Sequence, residues 1–256
     1  TQNPFHLNYK KAIDKEIKDS GIDSDSFKTQ YALEWCLEHG QFITYEVLMK
    51  CEDNYEITKM FTRNNGCILS IDWGKSVDST ILTIMDTECK IHYFYEWLGT
   101  DYDTQLNEII SIIKQRCNTG AIKKIFCDST GTQDMANDVF EKRLETNGIN
   151  VKVDRINFST WKDYMCKNAH YLFYSSDGGK SKVKFPKQDF PNKDKFLTQM
   201  LQLQKQIKVT EKWDVRAPEG EGYHDDFSMS LFLGMLYFSD NYKAGGQAGK
   251  YQPCLG

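Results

Sequence analysis

The order of residue patterns between positions 67 and 174 constrains this chain more than any single motif. After the turn-forming run Asn64-Asn65-Gly66, Cys67 to Ile71 is a short apolar stretch. Ser79 to Met85 alternates and is rich in β-branched residues, and Ile91 to Leu98 is rich in aromatics. Both patterns suit strands, and the short gaps between the three runs suit an antiparallel meander. The period then changes. Thr104 to Cys117 places Leu106, Ile109, Ile110 and Ile113 on one helical face. Ile122 to Cys127 reads as a fourth strand and residues 132–146 as a helix closed by Asn147-Gly148. Val151 to Ile156 is a fifth strand, and Thr160 to Tyr174 is again helical. Three strands followed by helix, strand, helix, strand, helix predict an α/β fold: a mixed five-stranded sheet flanked by helices.

The flanks are read more coarsely. Residues 1–63 are polar and helical in pattern, with Phe27, Tyr31, Leu33, Trp35 and Leu37 suggesting an amphipathic helix that stops near Gly40. Residues 64–240 form the expected main domain. Late in it come a helix over 193–204, two short strands at Ile207–Thr210 and Trp213–Ala217, and a helix over 225–238. The Gly-rich residues 241–256 read as a flexible tail.

Composition narrows the class. At 256 residues, 40% hydrophobic and 27% charged, the chain is long enough for a real core and too apolar for wholesale disorder. Its greasiest run, Met229 to Phe238, is far short of the ~18 apolar residues that span a bilayer, so no membrane association is expected. It opens on Thr1 with no signal-peptide pattern, which suggests a fragment or a processed product. The eight cysteines include no Cys-x-x-Cys pair and several sit in apolar runs, so they read as reduced core thiols. A net charge of -4 argues against a surface coated by nucleic acid, but leaves room for a local basic groove.

Against that background three acidic positions stand out. Asp72 ends the first strand, in ILSIDWG; Asp128 ends the fourth, in KIFCDSTG; Asp225 and Asp226 open the last helix, in GYHDDFSMS. In a mixed sheet, neighbouring strand ends and a helix N-terminus can meet at one edge. Carboxylates gathered there would form a hard, oxygen-rich cluster suited to Mg²⁺ or Mn²⁺ rather than zinc. Two such ions ~3.5–4 Å apart can grip one phosphate. Each residue also has a plainer reading: a strand-end Asp as a turn former, Asp225 as a helix cap. His224, next to the pair, is either a water- or phosphate-positioning group or a surface residue. Asp78 lies in the loop after Asp72 and reads first as a turn residue. Asp134 and Asp138 are expected to face solvent.

Lys180, Lys182, Lys184 and Lys187 alternate with Val183 and Phe185, as on a hairpin. They read either as contacts to a DNA backbone or as a lysine-guarded edge. Lys162, at a helix start, is a candidate phosphate contact. Gly74-Lys75-Ser76 and Gly179-Lys180-Ser181 end like a phosphate-binding loop, but Leu69 and Tyr174 stand where its first glycine belongs. No ATPase activity is therefore expected.

The ordered set SIDWGKSVDSTILTIMD, IKKIFCDSTGTQDMANDVF, WKDYMCKNAHYLF, KVKFPK and EGYHDDFSMSLFLG resembles the nuclease domain of phage terminase large subunits, members of the RNase H-like superfamily. NPFHLNYKKAI and FKTQYALEWCLEHGQFITYEVLMKCED resemble the connector that follows the motor domain in such proteins, so residues 1–63 would be a helical connector from an absent ATPase domain. The late strand pair would be a C-terminal hairpin insertion. The resemblance implies an endonuclease that cuts double-stranded viral DNA concatemers during packaging with two Mg²⁺ or Mn²⁺ ions. Asp72, Asp128 and Asp226 would be metal ligands, Asp225 an accessory ligand, and His224 matches a position often held by histidine. It further implies portal and small terminase subunit as partners in the intact motor, a monomeric isolated domain, and action in the host cytoplasm. Where many relatives carry a further acidic residue, this helix reads Phe227-Ser228-Met229-Ser230. The alternatives are another RNase H-like nuclease (Holliday-junction resolvase, transposase or RNase H), an actin-like ATPase, or a non-catalytic DNA-binding or assembly module.

Overall fold

The chain is seen in a computed structural model that describes residues 40–74, 78–177, 180–208, 210–220 and 222–239. It divides into two compact units, Thr1–Gln41 and Phe42–Gly256. The amphipathic helix expected before Gly40 and the expected tail lie outside the described residues. In the second unit, Phe42, Ile43, Leu48 and Phe61 are all buried.

Five strands form the central sheet: β2 (Cys67–Asp72), β3 (Thr80–Asp86), β4 (Ile91–Trp97), β5 (Ile122–Asp128) and β6 (Val153–Ile156). Their order is β4-β3-β2-β5-β6. The first three pair antiparallel, as the meander requires, while β2–β5 and β5–β6 are parallel. Helices α2 (Tyr102–Arg116) and α3 (Gln133–Thr146) make the crossovers that parallel neighbours need. A short helix α1 (Tyr45–Met49) and β1 (Glu52–Asp53) precede the sheet. After it come α4 (Phe158–Tyr174), β7 (Ser176–Asp177), β8 (Lys180–Ser181), β9 (Phe185–Pro186), α5 (Lys193–Gln202), β10 (Gln204–Ile207), β11 (Trp213–Arg216) and α6 (Asp226–Met235).

Alternation along the strands sorts the core into two layers. Cys67, Leu69 and Ile71 of β2 share a cluster with Ile125 and Cys127 of β5 and with Leu106, Ile109 and Phe140 of α2 and α3. Ile68 and Phe126 face the other way, into a cluster with Tyr164, Phe173, Phe196, Phe227 and Phe232 from α4, α5 and α6. Helix α6 approaches that second face closely. A Cβ added to Gly234 would come within 2.8 Å of Ser70 Oγ. Ser230 Oγ meets Thr83 Oγ1 at 2.8 Å and lies 3.2 Å from the Ser70 carbonyl.

One element lies three residues earlier than its expected start. The first late strand runs Gln204–Ile207 rather than 207–210, because α5 ends at Gln202. Leu203 is fully buried and its carbonyl accepts the Phe42 amide at 2.9 Å, which ends the helix and begins the strand. The 208–212 turn then closes with Lys208 N–H donating to the Lys212 carbonyl and Glu211 at φ 59°. The stretch from Lys180 to Lys187 is split as well: β8 pairs with β7, whereas β9 runs parallel to β1. The described cysteines 51, 67, 89, 117, 127 and 166 are free thiols, and Cys36 and Cys254 lie outside the described residues. No helix among the described residues is long and apolar enough to cross a membrane.

Candidate active site

Register brings the first two carboxylates together. On the parallel pair β2–β5 the last partners are Ile71 and Cys127, and each is followed at once by an aspartate, Asp72 and Asp128. Both strands therefore finish at the same edge of the sheet. This is where parallel α/β sheets place their ligand crevices.

A clamp behind that edge fixes the two strand ends. Asn137 of α3 is fully buried; its Oδ1 accepts from Trp73 Nε1 at 2.8 Å and its Nδ2 donates to the Asp128 carbonyl at 2.8 Å. Gln133 Nε2 donates to the Trp73 carbonyl at 2.5 Å. Thr130 donates to Asp128 Oδ1 through both its amide, at 2.9 Å, and its hydroxyl, at 2.5 Å. The same hydroxyl accepts the Phe158 amide at 3.0 Å, which ties the start of α4 to the Asp128 turn. Gly74 has no room for a side chain: an added Cβ would lie 2.1 Å from the Asp78 carbonyl oxygen.

The third contributor is the start of α6. Asp225 occupies the cap position but makes no side-chain cap hydrogen bond. Gln199 of α5 does part of that work, accepting the Phe227 amide at 2.8 Å. The two carboxylates are thus left for the pocket. Asp226 Oδ2 accepts the Ser79 amide at 3.4 Å, and Asp225 Oδ2 lies 3.9 Å from Lys162 Nζ. His224 Nδ1 is 3.9 Å from Asp226 Oδ2.

These groups line one pocket of ≈ 580 Å³, which includes Asp72, Asp78, Asp128, Lys162, His224, Asp225 and Asp226. Its electrostatics are those of crowded anions. Burial, then the charges of Asp128, Asp226 and Asp225, push the Asp72 carboxyl well above the usual carboxylate range. Asp128 is also raised, chiefly by burial and against its hydrogen bonds from Thr130. Asp226 is pushed up to about 6 by burial, Asp225 and Asp78. Lys162 is the one lysine or arginine lining the pocket among the described residues.

An all-oxygen donor set with uncompensated negative charge fits a hard divalent cation. Among the described residues, no three or more His, Cys, Asp or Glu side chains stand in an arrangement that could hold a metal as they are. The carboxylates line one pocket without closing on one point.

The remaining candidates separate. Lys162 is in the pocket; Lys182 and Lys184 are not among its lining residues. Lys182 Nζ sits 5.0 Å over the Tyr171 ring, and Lys184 Nζ is 3.4 Å from Asp53. Lys180 contributes to the β7–β8 ladder by its backbone. Asp134 and Asp138 are exposed and bind Arg155 at 3.0 and 2.7 Å. Asn137, Thr130 and Gln199 have no counterpart in the sequence reading. Only Asn137 leaves a visible signal, a polar residue among Ala136, Phe140 and Leu144 on the inner face of α3.

Comparison with known proteins gives the fold independently. No family model matches, and no curated protein matches in sequence. Among solved structures, the large terminase nuclease of thermophilic phage G20c aligns with a TM-score of 0.54 and 17% identity, over 74% of this chain and 95% of that one. The same protein with bound magnesium aligns at TM-score 0.56 and 19% identity, covering 77% and 96%. The large terminase nuclease domain of Thermus phage P74-26 aligns at 0.55 and 19%, covering 77% and 95%. The chain has the fold of these terminase nuclease domains, an RNase H-like mixed sheet.

Proposed function

We propose that this chain is a divalent-metal-dependent DNA endonuclease, the nuclease part of a phage large terminase, which cuts double-stranded viral DNA concatemers during genome packaging. The observation that carries this reading is the convergence of Asp72, Asp128 and the Asp225–Asp226 pair, from three distant segments, on one pocket. Similar folds with bound magnesium and with bound cobalt support it.

Asp72, Asp128 and Asp226 would hold two Mg²⁺ or Mn²⁺ ions, with Asp225 as an accessory ligand. Bound there, the ions supply a Lewis acid that neutralises the scissile phosphate and lowers the pKa of an attacking water. The chain's own part is positioning. Asn137 holds the two strand ends, Thr130 orients Asp128, and Ser79 with Gln199 orients the start of α6. Lys162, at the junction of α4 with the pocket, binds a non-bridging phosphate oxygen. His224, whose Nδ1 lies 3.9 Å from Asp226 Oδ2, would position water or a phosphate at the pocket mouth. In an intact motor the domain would work beside portal and small terminase subunits in the host cytoplasm; the isolated domain would be a monomer.

Plasmid nicking in Mn²⁺ or Mg²⁺ by the native chain and by Asp72→Ala tests the reading. Removing a ligand from a metal clamp is worth several kcal/mol, so a loss of at least ~100-fold is expected. Equal cutting by both proteins overturns the assignment. Other RNase H-like nucleases would use the same carboxylates, and linear duplex, junction DNA and RNA–DNA hybrid compared side by side separate them. DNA binding with no metal-dependent cleavage by the native chain would leave a non-catalytic assembly module.

A further inference from the structure

A groove of ≈ 1150 Å³ lies beside the carboxylate pocket, between α4 and the β10–β11 hairpin. The two adjoin: Phe158 and Lys162 line both. The groove exceeds the ~300–1,000 Å³ of ordinary small-molecule sites, which favours a segment of polymer over a metabolite. Its α4 wall is a stripe at helical spacing: Ser159, Asp163, Lys167, His170, Tyr171 and Tyr174. From Ser159 to Tyr174 that stripe rises ~22 Å.

Two features decide what kind of polymer fits. The first is charge. Lys162, Lys167, Lys208 and Lys212 face Asp163, Glu211 and Asp214 in the groove. Lys167 is paired with Asp163 at 2.9 Å, and Lys208 with Asp214 at 3.1 Å. With its lysines largely paired, the wall offers little net positive charge to phosphates, so most of the affinity for a nucleic-acid strand must come from contacts to the bases. The second is exposed aromatic surface. Tyr171 is 56% and Tyr174 43% exposed, with Lys182 Nζ over one face of the Tyr171 ring at 5.0 Å. Tyr174 is stacked on His170, centroids 4.1 Å apart, and Trp213 packs edge-on to His170 at 5.1 Å. Burial holds His170 near pKa 4, so this aromatic cluster is uncharged at neutral pH. Ring faces beside a few lysines are the means by which proteins hold unpaired bases.

We propose that the groove is a subsite for an unpaired stretch of the DNA strand being cut, its bases stacked on Tyr171 and Tyr174 and its backbone leading past Lys162 to the carboxylates. This rests on the endonuclease reading for what the strand is doing there. A strand that must lie unpaired beside the cut makes frayed, nicked or flapped DNA the preferred substrate over intact duplex.

The test is binding in EDTA, where cleavage plays no part. Fluorescence anisotropy of a labelled oligothymidylate is compared with that of a hairpin duplex, using the full chain. The native chain should bind the oligothymidylate more tightly than the duplex. Tyr171→Ala combined with Tyr174→Ala should weaken the oligothymidylate at least ~10-fold, given the cost of losing base stacking. Tyr171→Phe with Tyr174→Phe keeps the rings and should bind like the native chain, which separates lost stacking from lost structure. Tighter duplex binding, no measurable oligothymidylate binding, or indifference to the alanine pair overturns the proposal. Plasmid nicking is read separately. If it fails while the alanine pair still abolishes oligothymidylate binding, the endonuclease reading falls and the groove stands as a single-strand site; the converse pattern rejects the groove alone.

Discussion

The indole Nε1–H of Trp73 donates to Asn137 Oδ1 at 2.8 Å, and through that one amide the chain just after Asp72 is locked to the chain at Asp128. Both side chains are buried, Trp73 at 1% and Asn137 at 0% exposure. Asn137→Ala would strand the Trp73 donor and the Asp128 carbonyl without partners. At ~1–3 kcal/mol for each buried unsatisfied group, the variant should lose about 2–4 kcal/mol of stability. Calorimetry should show Tm falling by roughly 5–15 °C. Nicking measured well below that Tm should still drop, by ~10-fold or more, because the strand ends no longer hold their spacing. A stable variant with native cutting would show that the clamp does not position the carboxylates.

Asp225 and Asp226 are adjacent, yet the structure treats them differently. Asp226 is held by the Ser79 amide and shares a crowded field that raises it to about 6. Asp225 leans towards Lys162, 3.9 Å away, with 28% of its side chain exposed. Alanine at 226 should therefore cost at least ~100-fold in nicking, and alanine at 225 roughly 10-fold or less. Kinetics in Mn²⁺ on supercoiled plasmid would decide it; the reverse ranking would make Asp225 the main ligand.

The sheet was legible because its signals are local. Each strand of the meander carries its own period, and Asp128 announces itself as a charge at the end of an apolar run, IKKIFCD. Asp72 and the Asp225–Asp226 pair could be singled out for the same reason. What sequence could not supply is anything set by a distant partner. Whether Asp225 caps its helix depended on Gln199 taking one of the free amides, a choice made 26 positions upstream of that residue. The start of β10 depended on where Leu203 buries and which amide its carbonyl meets. The lysines of KVKFPK looked like one hairpin because alternation is visible, whereas the parallel partner β1, which claims Phe185 and Pro186, is 133 positions away. The groove wall on α4 was present as spacing, but the groove itself exists only once β11 packs Trp213 against His170.

Crowded carboxylates make a testable statement about the metal-free protein. Asp72 is raised by burial and by three neighbouring aspartates, so in its ionised form it opposes folding. Asp72→Asn keeps the shape and removes the charge. In EDTA at neutral pH the variant should melt higher than the native chain by a few degrees, the equivalent of ~1–2 kcal/mol. Adding Mn²⁺ should raise the native Tm and leave the variant nearly unmoved, since binding stabilises only a protein that binds. A variant that melts lower in EDTA would mean that Asp72 is satisfied by contacts other than a cation.

His170 supplies the pH dependence. Burial, and then Lys205, lower it from 6.5 to about 4 in the folded chain. Its rings of contact are Phe42, Tyr174 and Trp213, none of which offers a counter-charge. Between pH 4 and 6.5 the unfolded chain binds the proton more readily than the folded one, so stability rises with pH across that window. The contribution is complete above 6.5 and is lost as pH falls towards 4. The ring is partly open to solvent, so the size expected after screening is roughly 1–2 kcal/mol. Urea denaturation at a series of pH values, native against His170→Phe, isolates this group from all others that titrate in the same range. The phenylalanine variant should show the shallower slope below pH 6.5; parallel curves would mean that His170 carries its proton in the folded protein as readily as in the unfolded one.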